Sequence, residues 1–395
     1  MKATVPLEPI PYGKQDISDE DLQAVIEVLR SDFLTQGPAV PSFEDAVKDY
    51  VGCKHALAMN SATSALHAAC AALGVGPGDS VWTSPITFVA SANCALYCGA
   101  SVDFVDIDPR TYNLSVECLE EKLIDAQRQG LIPKVVIAVH LCGQSCDMQG
   151  IRRLSMKYGF AVIEDASHAI GGKYQGKPIG SCSYSDITIF SFHPVKIITT
   201  AEGGMALTNN ESLAAKMSRF RTHGITNLAA LFEPRNSQEI WNYQQIDLGY
   251  NYRITDIQAA LGLSQMKRLD QFVQDRHKIA RAYDQAFEGL PIQGPYQSPE
   301  CYSSYHLYPI LVEHAQQGVS QRGLYDHLRG QGILANLHYI PVYRQPFYQR
   351  LGFKLGYCPN AEDYFSRTIS IPMFATLPEE KQIRIIEEIK RCFAG

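Results

Sequence analysis

The sequence predicts an α/β protein, with a large domain built on a mostly parallel sheet and a smaller α+β domain at its C-terminal end. Three observations predict this fold. The chain has 395 residues, which is too many for a single ordinary domain, so its length favours two domains. Short apolar runs alternate with helical patterns as far as 209, which is typical of a parallel sheet covered on both faces. Near residue 255 long helical patterns replace this alternation.

An arm and two helices precede the alternating region. Residues 1–15 are rich in proline and predict an extended N-terminal arm. The segment "ISDEDLQAVIEVLRS" (17–31) is amphipathic and has an acidic first turn, which predicts a helix. A loop containing Gly37 and Pro38 leads into a second helix.

The alternating region supplies the rest of the large domain, 16–264. The predicted strands are 55–60, 80–85, 102–108, 134–140, 160–166, 186–192 and 204–209. The predicted helices between them are 61–75, 87–100, 116–130 and 148–159. The small domain, 265–395, is predicted from the later part of a long helical stretch with a possible break (255–289), from "SSYHLYPILVE" and from a helix near 320–331.

Composition and charge exclude several kinds of partner. The net charge is −6 and the pI is near 6.0, with no block rich in Lys or Arg, so we expect no nucleic-acid binding. An anionic ligand would need a local site, such as a helix N-terminus. The sequence has no apolar run of about 20 residues and no apolar segment near its start, so we expect no membrane partner and a cytoplasmic location.

The eleven cysteines do not form a recognisable framework. No Cys-x-x-Cys pair occurs, and no His/Cys set completes a zinc pattern, so we predict no metal site. The cysteines that lie among small apolar residues predict free, buried or half-buried thiols in a reducing compartment; they are Cys70, Cys94, Cys98, Cys142 and Cys182.

Reactive and polar side chains follow several of the predicted strands. Ligands of open α/β sheets gather beyond the carboxyl ends of the strands. The residues found there are Asn60, Ser61, Ala62, Thr63, Thr87, Phe88, His140, Gly143, Asp165, His168, Ser191, His193 and Lys196. Taken singly, each has an ordinary structural explanation: a helix cap for Ser61, Thr63 or Asp165, a core ring for Phe88, and a surface charge for Lys196.

Taken together, these residues predict a pyridoxal 5'-phosphate site. A lysine such as Lys196 forms a Schiff base with this cofactor. A carboxylate such as Asp165 pairs with the pyridine nitrogen, so that the ring accepts electrons. The start of the helix at 61 and the hydroxyl of Ser191 suit the phosphate, and Phe88 suits one face of the ring.

Eight segments, spread over essentially the whole chain, resemble the nucleotide-sugar aminotransferases of the DegT/DnrJ family, which are fold-type I pyridoxal phosphate enzymes. These segments are "LTQGP" (34–38), "NSATSAL" (60–66), "TFVASAN" (87–93), "VDFVDID" (102–108), "VIEDASHAIGG" (162–172), "SFHPVKIITTAEGG" (191–204), "LGYNYRITDIQAALGL" (248–263) and "HYIPVY" (338–343). "FSFHPVK" and "HYIPVY" are most similar to the branch of pseudaminic acid biosynthesis that aminates a UDP-4-keto-6-deoxy-HexNAc sugar.

The resemblance implies a role for each site residue. Lys196 would be the catalytic residue, Asp165 would bind the pyridine nitrogen, and His168 would lie near the ring hydroxyl. Phosphate and ring contacts are implied for Ser61, Ala62, Thr63, Ser191 and Phe88. Asn251 would reach the cofactor of a neighbouring subunit, which requires a homodimer with shared sites. The implied substrate contacts are Tyr12, Leu34, Thr35, Gln36, Gly37, His338, Tyr339, Ile340 and Pro341.

The implied reaction moves the amino group of L-glutamate to C4 of the nucleotide sugar in two half-reactions. Ala62 and Ala201 stand where relatives often have Gly or another small residue, whereas Lys196 is kept, which favours transamination over dehydration. Within the family, a GDP-perosamine type of enzyme, or one for another 4-keto sugar, remains an alternative.

Two alternatives lie outside this activity. A nicotinamide-dependent sugar oxidoreductase would find support in "GVGPGD" (74–79), but these glycines follow a helix instead of opening one. A regulatory protein that has lost the chemistry would not need Lys196, Asp165 and Ser191 together. The turn Glu202-Gly203-Gly204 is expected to let the backbone pass close to its neighbours, with no chemical role.

Overall fold

The computed structural model describes residues 8–236, 238, 240, 242–313 and 318–394. In chain order the strands are β1 (Ile10–Pro11), β2 (His55–Met59), β3 (Ser80–Thr83), β4 (Ser101–Phe104), β5 (Val135–Val139), β6 (Ala161–Asp165), β7 (Lys173–Tyr174), β8 (Lys177–Pro178), β9 (Ile187–Ser191), β10 (Gly204–Thr208), β11 (Ile225–Thr226), β12 (Gln244–Gln245), β13 (Ile292–Gln293), β14 (Cys301–Tyr302), β15 (Tyr308–Val312), β16 (Ile333–Leu334) and β17 (Thr368–Ile371).

The helices occupy the segments between these strands. They are α1 (Asp19–Leu29), α2 (Ala39–Val51), α3 (Ala62–Ala72), α4 (Ala90–Tyr97), α5 (Val116–Gln129), α6 (Met148–Tyr158), α7 (Glu211–Phe220), α8 (Asp256–Met266), α9 (Leu269–Phe287), α10 (Gln321–Gly330), α11 (Pro346–Arg350), α12 (Pro359–Arg367) and α13 (Glu379–Phe393). None of the helices in the described ranges has a stretch long and apolar enough to cross a bilayer.

The central sheet has seven strands in the order β2-β10-β9-β6-β5-β3-β4. β10 runs antiparallel to both of its neighbours, and the pairs from β9 to β4 are all parallel. The prediction of a mostly parallel α/β sheet is therefore confirmed. Each predicted strand of the alternating region has a counterpart in this sheet.

Side chains alternate between the two faces of the sheet and bury a different set of helices on each. On β9, Ile187 and Ile189 pack with the small residues of α3, such as Ala65 and Ala69. Phe190 points the other way, into a cluster that contains Phe43 of α2. Because α3 presents mainly alanine to the sheet, its backbone lies close to the strands, which brings its N-terminus to their carboxyl ends.

The C-terminal part of the chain has its own antiparallel sheet, β13-β15-β17, which shares a buried cluster with α9, α10 and α13. The described part of the N-terminal arm belongs to this cluster, because Ile10 is fully buried in it and pairs with Ile333 in parallel. α9 contributes Phe272 to the large-sheet core and Tyr283 to the C-terminal core. The division at residue 265 stays a prediction.

One predicted strand is clearly shorter in the structure. The strand expected at 102–108 ends at Phe104. It ends there because Asp106 turns its carboxylate toward backbone N–H groups of Asn360 and Ala361, and Asp108 accepts from Arg110 and so starts a turn.

The long helical stretch does break as predicted, between α8 and α9. All eleven cysteines are free thiols, seven of them buried, which confirms the prediction of free, buried or half-buried thiols.

Candidate active site

A cavity of about 680 Å³ opens at the carboxyl ends of the central strands. Its walls come from the start of α3, the segment before α4, the ends of β6 and β9, and the segment that follows β16. The structure brings into its wall twelve of the residues for which a catalytic, cofactor or substrate role was predicted. They are Tyr12, Ser61, Ala62, Thr63, Phe88, Asp165, His168, Ser191, Lys196, His338, Tyr339 and Ile340.

The remaining candidates do not line this cavity within one chain. The "LTQG" loop, Leu34 to Gly37, is attached to the start of α8: Gly37 donates its N–H to Asp256 over 2.8 Å, and Asp256 donates its own to the carbonyl of Leu34 over 3.0 Å. Asn251 is exposed. Pro341 is buried next to the cavity wall without lining it. None of these residues therefore lines the cavity of a single chain, neither Asn251, predicted to contact the cofactor, nor the others, predicted to contact the substrate.

Lys196 stands on a tight loop that closes back on the end of β9. The backbone N–H of Lys196 donates to the carbonyl of His193 over 2.9 Å, and Thr200 donates to the carbonyl of Phe192 over 3.0 Å. Burial lowers the pKa of Lys196 to about 8, against the opposing effect of the Asp165 charge. A substantial share of this amine is therefore neutral near physiological pH, as a nucleophile or proton acceptor requires.

Asp165 is a buried carboxylate at the last position of β6. Its Oδ2 accepts a hydrogen bond from the hydroxyl of Ser91 over 2.6 Å, and its Oδ1 accepts one from the hydroxyl of Ser167 over 2.5 Å. The buried carboxylate of Asp21 has Arg268 as an ion-pair partner, whereas Asp165 has no ion-pair partner among the described residues. Such a charge is costly unless a cationic group binds it.

The start of α3 forms a cradle for an anion. Ser61 is its N-cap: the Ser61 hydroxyl accepts from the N–H of Ser64 over 3.1 Å. The next two backbone N–H groups, of Ala62 and Thr63, have no acceptor among the described residues. These groups and the helix dipole favour a phosphate at this end. Ser61 therefore acts as a cap here, and the free donors are backbone groups.

Gly204 lets β10 approach this cradle closely. A Cβ atom at Gly204 would lie 2.4 Å from the backbone nitrogen of Ala62, too close for any other residue. Gly204 also faces Ser191 across the β9-β10 pair, which brings that hydroxyl to the same edge. The expectation of a close backbone approach at Glu202-Gly203-Gly204 is thus confirmed for Gly204.

His168 is held as a neutral imidazole. Its Nδ1 accepts from the backbone N–H of Cys142 over 3.2 Å, and its Nε2 lies 3.3 Å from the hydroxyl of Tyr339. Burial lowers the pKa of His168 well below its ordinary value, and the Lys196 charge adds to this effect. Nε2 is therefore the nitrogen that carries the proton and can donate it in a hydrogen bond.

The residues present fit pyridoxal 5'-phosphate. The cavity holds a buried carboxylate without an ion-pair partner among the described residues, a lysine amine that is easily neutralised, and free backbone donors at a helix start. Phe88 lines the cavity and is 60% exposed, so one face of its ring is available for stacking. Each of these features matches one part of the cofactor: the ring nitrogen, the aldehyde, the phosphate and the ring face.

Several wall residues were not selected from the sequence. Thr87 and His193 were noted at strand ends, but no role was predicted for them. Ser91 lies one helical turn beyond Thr87, and this spacing could have indicated that the two side chains are neighbours. Asn336 and Gln345 flank the "HYIP" segment, and their proximity to the cavity depends on the fold. The wall residues in this group are Thr87, Ser167, His193, Glu202, Asn336 and Gln345.

Comparison with known proteins gives a consistent result. The profile of the DegT/DnrJ/EryC1/StrS aminotransferase family matches residues 15–390. The UDP-4-amino-4,6-dideoxy-N-acetyl-β-L-altrosamine transaminase of Campylobacter jejuni subsp. jejuni serotype O:23/36 (strain 81-176) is 37% identical over 394 residues, which cover 98% of this chain and 100% of that protein. The spore coat polysaccharide biosynthesis protein SpsC of Bacillus subtilis (strain 168) is 37% identical over 389 residues, 98% and 97% of the two chains.

Solved structures agree with the sequence relatives. Helicobacter pylori PseC, an aminotransferase involved in the biosynthesis of pseudoaminic acid, superimposes with a TM-score of 0.87 at 34% identity, over 98% of this chain and 99% of that one. The PLP-form of the putative sugar aminotransferase Spr1654 from Streptococcus pneumoniae gives a TM-score of 0.86 at 30% identity, over 97% and 98% of the two chains.

Proposed function

Because the chain belongs to the DegT/DnrJ/EryC1/StrS aminotransferase family, we propose that it transfers the amino group of L-glutamate to C4 of a UDP-4-keto-6-deoxy-HexNAc sugar, as in pseudaminic acid biosynthesis. The enzyme is an aminotransferase and its cofactor is pyridoxal 5'-phosphate. The main observation in support of this chemistry is that Lys196 and Asp165 line the same cavity. The choice of sugar is supported by the Campylobacter jejuni and Helicobacter pylori relatives.

The proposed roles of the residues follow from their local geometry. Bound pyridoxal phosphate supplies an amino-group carrier whose ring accepts electrons. Lys196 is proposed to take a proton from the donor carbon and to return one to C4 of the sugar, since burial leaves part of its amine neutral. Asp165 would accept a hydrogen bond from the ring nitrogen, and the N–H groups of Ala62 and Thr63 would hold the phosphate.

Three further residues would orient the ring. His168 donates from Nε2 toward the ring hydroxyl, because Nδ1 is occupied as an acceptor. Ser191 contributes a hydroxyl beside the phosphate cradle, and Phe88 covers one face of the ring. Tyr12 and the segment His338 to Ile340 close the cavity on the side where a sugar would enter, and we propose them as substrate contacts.

The charge of the cavity supports a dimer with shared sites. L-Glutamate and a nucleotide diphosphate are both anions, yet Lys196 is the single Lys or Arg among the described residues that line the cavity. Further cations and Asn251 would then come from a second copy of the chain. The described part of the segment between β11 and β12, together with residues up to Tyr250, exposes large apolar side chains that such a copy could cover; they are Leu228, Leu231, Ile240, Tyr243, Leu248 and Tyr250.

A second candidate substrate, another 4-keto nucleotide sugar, is favoured by the equal identity of SpsC, which serves spore coat polysaccharide biosynthesis. A nicotinamide-dependent oxidoreductase is not favoured, because the family is one of aminotransferases and "GVGPGD" forms the turn between α3 and β3. A non-catalytic relative is not favoured, because Lys196 and Asp165 share one cavity.

The experiment is a substrate panel. The purified enzyme, loaded with pyridoxal phosphate, is incubated with L-glutamate and a series of UDP- and GDP-4-keto sugars, and 2-oxoglutarate and the aminated sugar are measured together. We expect the highest kcat/KM with the UDP-4-keto-6-deoxy-HexNAc sugar. Higher kcat/KM with a GDP sugar would replace the proposed substrate, and consumption of glutamate without an aminated sugar would refute the function.

A further inference from the structure

We propose that Ser91 and Thr87 are positioning residues that hold the Asp165 carboxylate ready for the ring nitrogen of the cofactor. This inference rests on the role proposed for Asp165. It adds a chain of two buried hydroxyls that starts on the segment before α4 and ends on a carboxylate at the end of β6. Neither hydroxyl was assigned a function by its sequence pattern.

The three groups form one continuous hydrogen-bonded chain. The hydroxyl oxygens of Thr87 and Ser91 lie 2.8 Å apart, and that of Ser91 lies 2.6 Å from Oδ2 of Asp165. All three side chains are shielded from solvent, with exposures of 3% for Thr87, 0% for Ser91 and 6% for Asp165. A buried chain of this kind is specific, since each member loses a partner if one is removed.

The direction of the hydrogen bonds follows from the number of protons. Ser91 has one hydroxyl proton, and a carboxylate can only accept, so that proton points to Asp165. Thr87 must then donate its own hydroxyl proton to the oxygen of Ser91. In this arrangement Thr87 fixes the rotation of the Ser91 hydroxyl, and Ser91 fixes the rotation of the carboxylate.

The hydrogen bonds to Asp165 also stabilise its negative charge. The hydroxyl and backbone N–H of Ser167 donate to Oδ1, and Ser91 donates to Oδ2. The charge of Asp165 also acts on Lys196 and Tyr339, favouring the protonated form of each. Removal of the Ser91 hydroxyl would leave one buried oxygen without its donor and would free the carboxylate to rotate away from the ring N–H.

The test is a double-mutant cycle on cofactor binding. The dissociation constant of pyridoxal phosphate is measured by equilibrium dialysis for the full chain, for Ser91→Ala, for Asp165→Asn and for the double variant. We expect Ser91→Ala to weaken binding about tenfold in the wild-type chain, the loss typical of a hydrogen bond to a charged group. In the Asp165→Asn background the same substitution should have little effect, because its partner charge is gone.

Two further variants separate positioning from simple loss of stability. Ser91→Thr keeps the hydroxyl and should restore most of the affinity. Ser155→Ala removes another buried serine hydroxyl, which donates to the carbonyl of Phe160 over 2.6 Å outside the cavity wall. This control should lower the melting temperature and leave the dissociation constant unchanged.

The outcomes distinguish this inference from the role of Asp165 itself. If Asp165→Asn binds the cofactor as well as the wild type, the proposed role of Asp165 fails. If Asp165→Asn weakens binding but Ser91→Ala does not, or if Ser91→Ala has the same effect in both backgrounds, the positioning role fails. Thr87→Val should show a smaller effect of the same sign, since its hydroxyl acts one step further away.

Discussion

The backbone N–H of Cys142 donates to Nδ1 of His168 over 3.2 Å, which makes Nε2 the protonated nitrogen of that ring. The position of Cys142 is set by a turn immediately after β5, where its φ is +59°. A main-chain contact thus determines which nitrogen His168 presents to the cavity. The hydroxyl of Tyr339 occupies the direction of Nε2 at 3.3 Å and marks where a cofactor oxygen would compete.

The first prediction concerns this donor. His168→Gln keeps an N–H that can reach the same direction, whereas His168→Leu removes it. We expect kcat/KM for glutamate to fall less than tenfold in the Gln variant and about 10- to 100-fold in the Leu variant, the range for one hydrogen bond to a charged group. Equal losses in the two variants, at equal melting temperatures, would show that the donor has no role.

The second prediction concerns stability at acid pH. Burial, with a smaller contribution from the Lys196 charge, lowers the pKa of His338 to about 3. Between that value and the ordinary value near 6.5, the unfolded chain binds a proton that the native chain does not. Native stability is therefore lost as the pH falls below about 6.5, and at pH 5 this site alone costs about 2 kcal/mol.

His338→Asn removes this titration. Urea unfolding at pH 7 and at pH 5 measures the free energy of unfolding of both proteins. The decrease between the two pH values should be about 2 kcal/mol smaller in the variant than in the wild type. A decrease of the same size in both proteins would contradict the assignment of a buried, neutral His338.

The third prediction concerns the close approach of β10 to α3. Gly204→Ala places a Cβ 2.4 Å from the backbone nitrogen of Ala62, so the strand and the helix start must move apart. Because that helix start is the proposed phosphate cradle, we expect at least a tenfold weaker affinity for pyridoxal phosphate and a loss of about 1–3 kcal/mol of stability.

Gly330→Ala is the matched control for Gly204→Ala. Its added Cβ meets nothing within 4 Å, and Gly330 is the last residue of α10. This variant should be as stable as the wild type or slightly more stable, because alanine is the better helix former. Equal cofactor affinity in Gly204→Ala and Gly330→Ala would refute the cradle.

The sequence predicted the sheet, and it singled out residues that the structure brings into one cavity, because both depend on local pattern. Apolar runs of strand length mark each strand of the sheet. A residue at the end of a strand, or just after it, lies at the ligand-binding edge of the sheet, and this does not depend on the conformation of the loops. Asp165 and Lys196 could be singled out in this way. Their assignment to a pyridoxal phosphate site rested on the other residues at strand ends and on the family resemblance.

The parts that escaped prediction depend on contacts between distant segments. Ser91 donates to Asp165 across 74 positions of the chain, and no local pattern indicates that pair. Ile10 enters the C-terminal core by pairing with Ile333, so the arm was not recognised as part of that core. Asn251 does not line the cavity of its own chain, and the cofactor contact proposed for it would need a second chain.

The fourth prediction concerns Lys196 in the protein without cofactor. Burial lowers its pKa from 10.5 to about 8, so below pH 8 the native chain carries a proton at an unfavourable site. Lys196→Met should abolish transamination. It should also stabilise the cofactor-free protein at pH 7 by up to about 3 kcal/mol, an upper limit because water in the cavity screens the charge.

The expected gain in stability depends on pH. Between pH 8 and 10.5 the wild-type amine loses its proton in the native state first, so wild-type stability rises with pH and the advantage of Lys196→Met should shrink toward pH 10. Urea unfolding of the cofactor-free proteins measures this difference. A variant less stable than the wild type at pH 7, or one that still aminates a sugar, would contradict the assignment.

The fifth prediction concerns the shared site. Asn251 is exposed and lies outside the cavity of its own chain, so its proposed contact must be made in a partner subunit. Lys196→Ala and Asn251→Ala homodimers should each be nearly inactive. A mixed dimer would contain one site with both an intact Lys196 and an intact Asn251, the latter from the other chain.

Random mixing makes half of the dimers mixed, so an equimolar mixture of the two variants should recover roughly a quarter of wild-type activity after subunit exchange. The chains carry different affinity tags, so that mixed dimers can be purified and their mass measured by light scattering. Purified mixed dimers should reach about half of wild-type activity per dimer. If Asn251 served its own chain instead, neither site of a mixed dimer would be complete, and activity would stay at the level of the two homodimers.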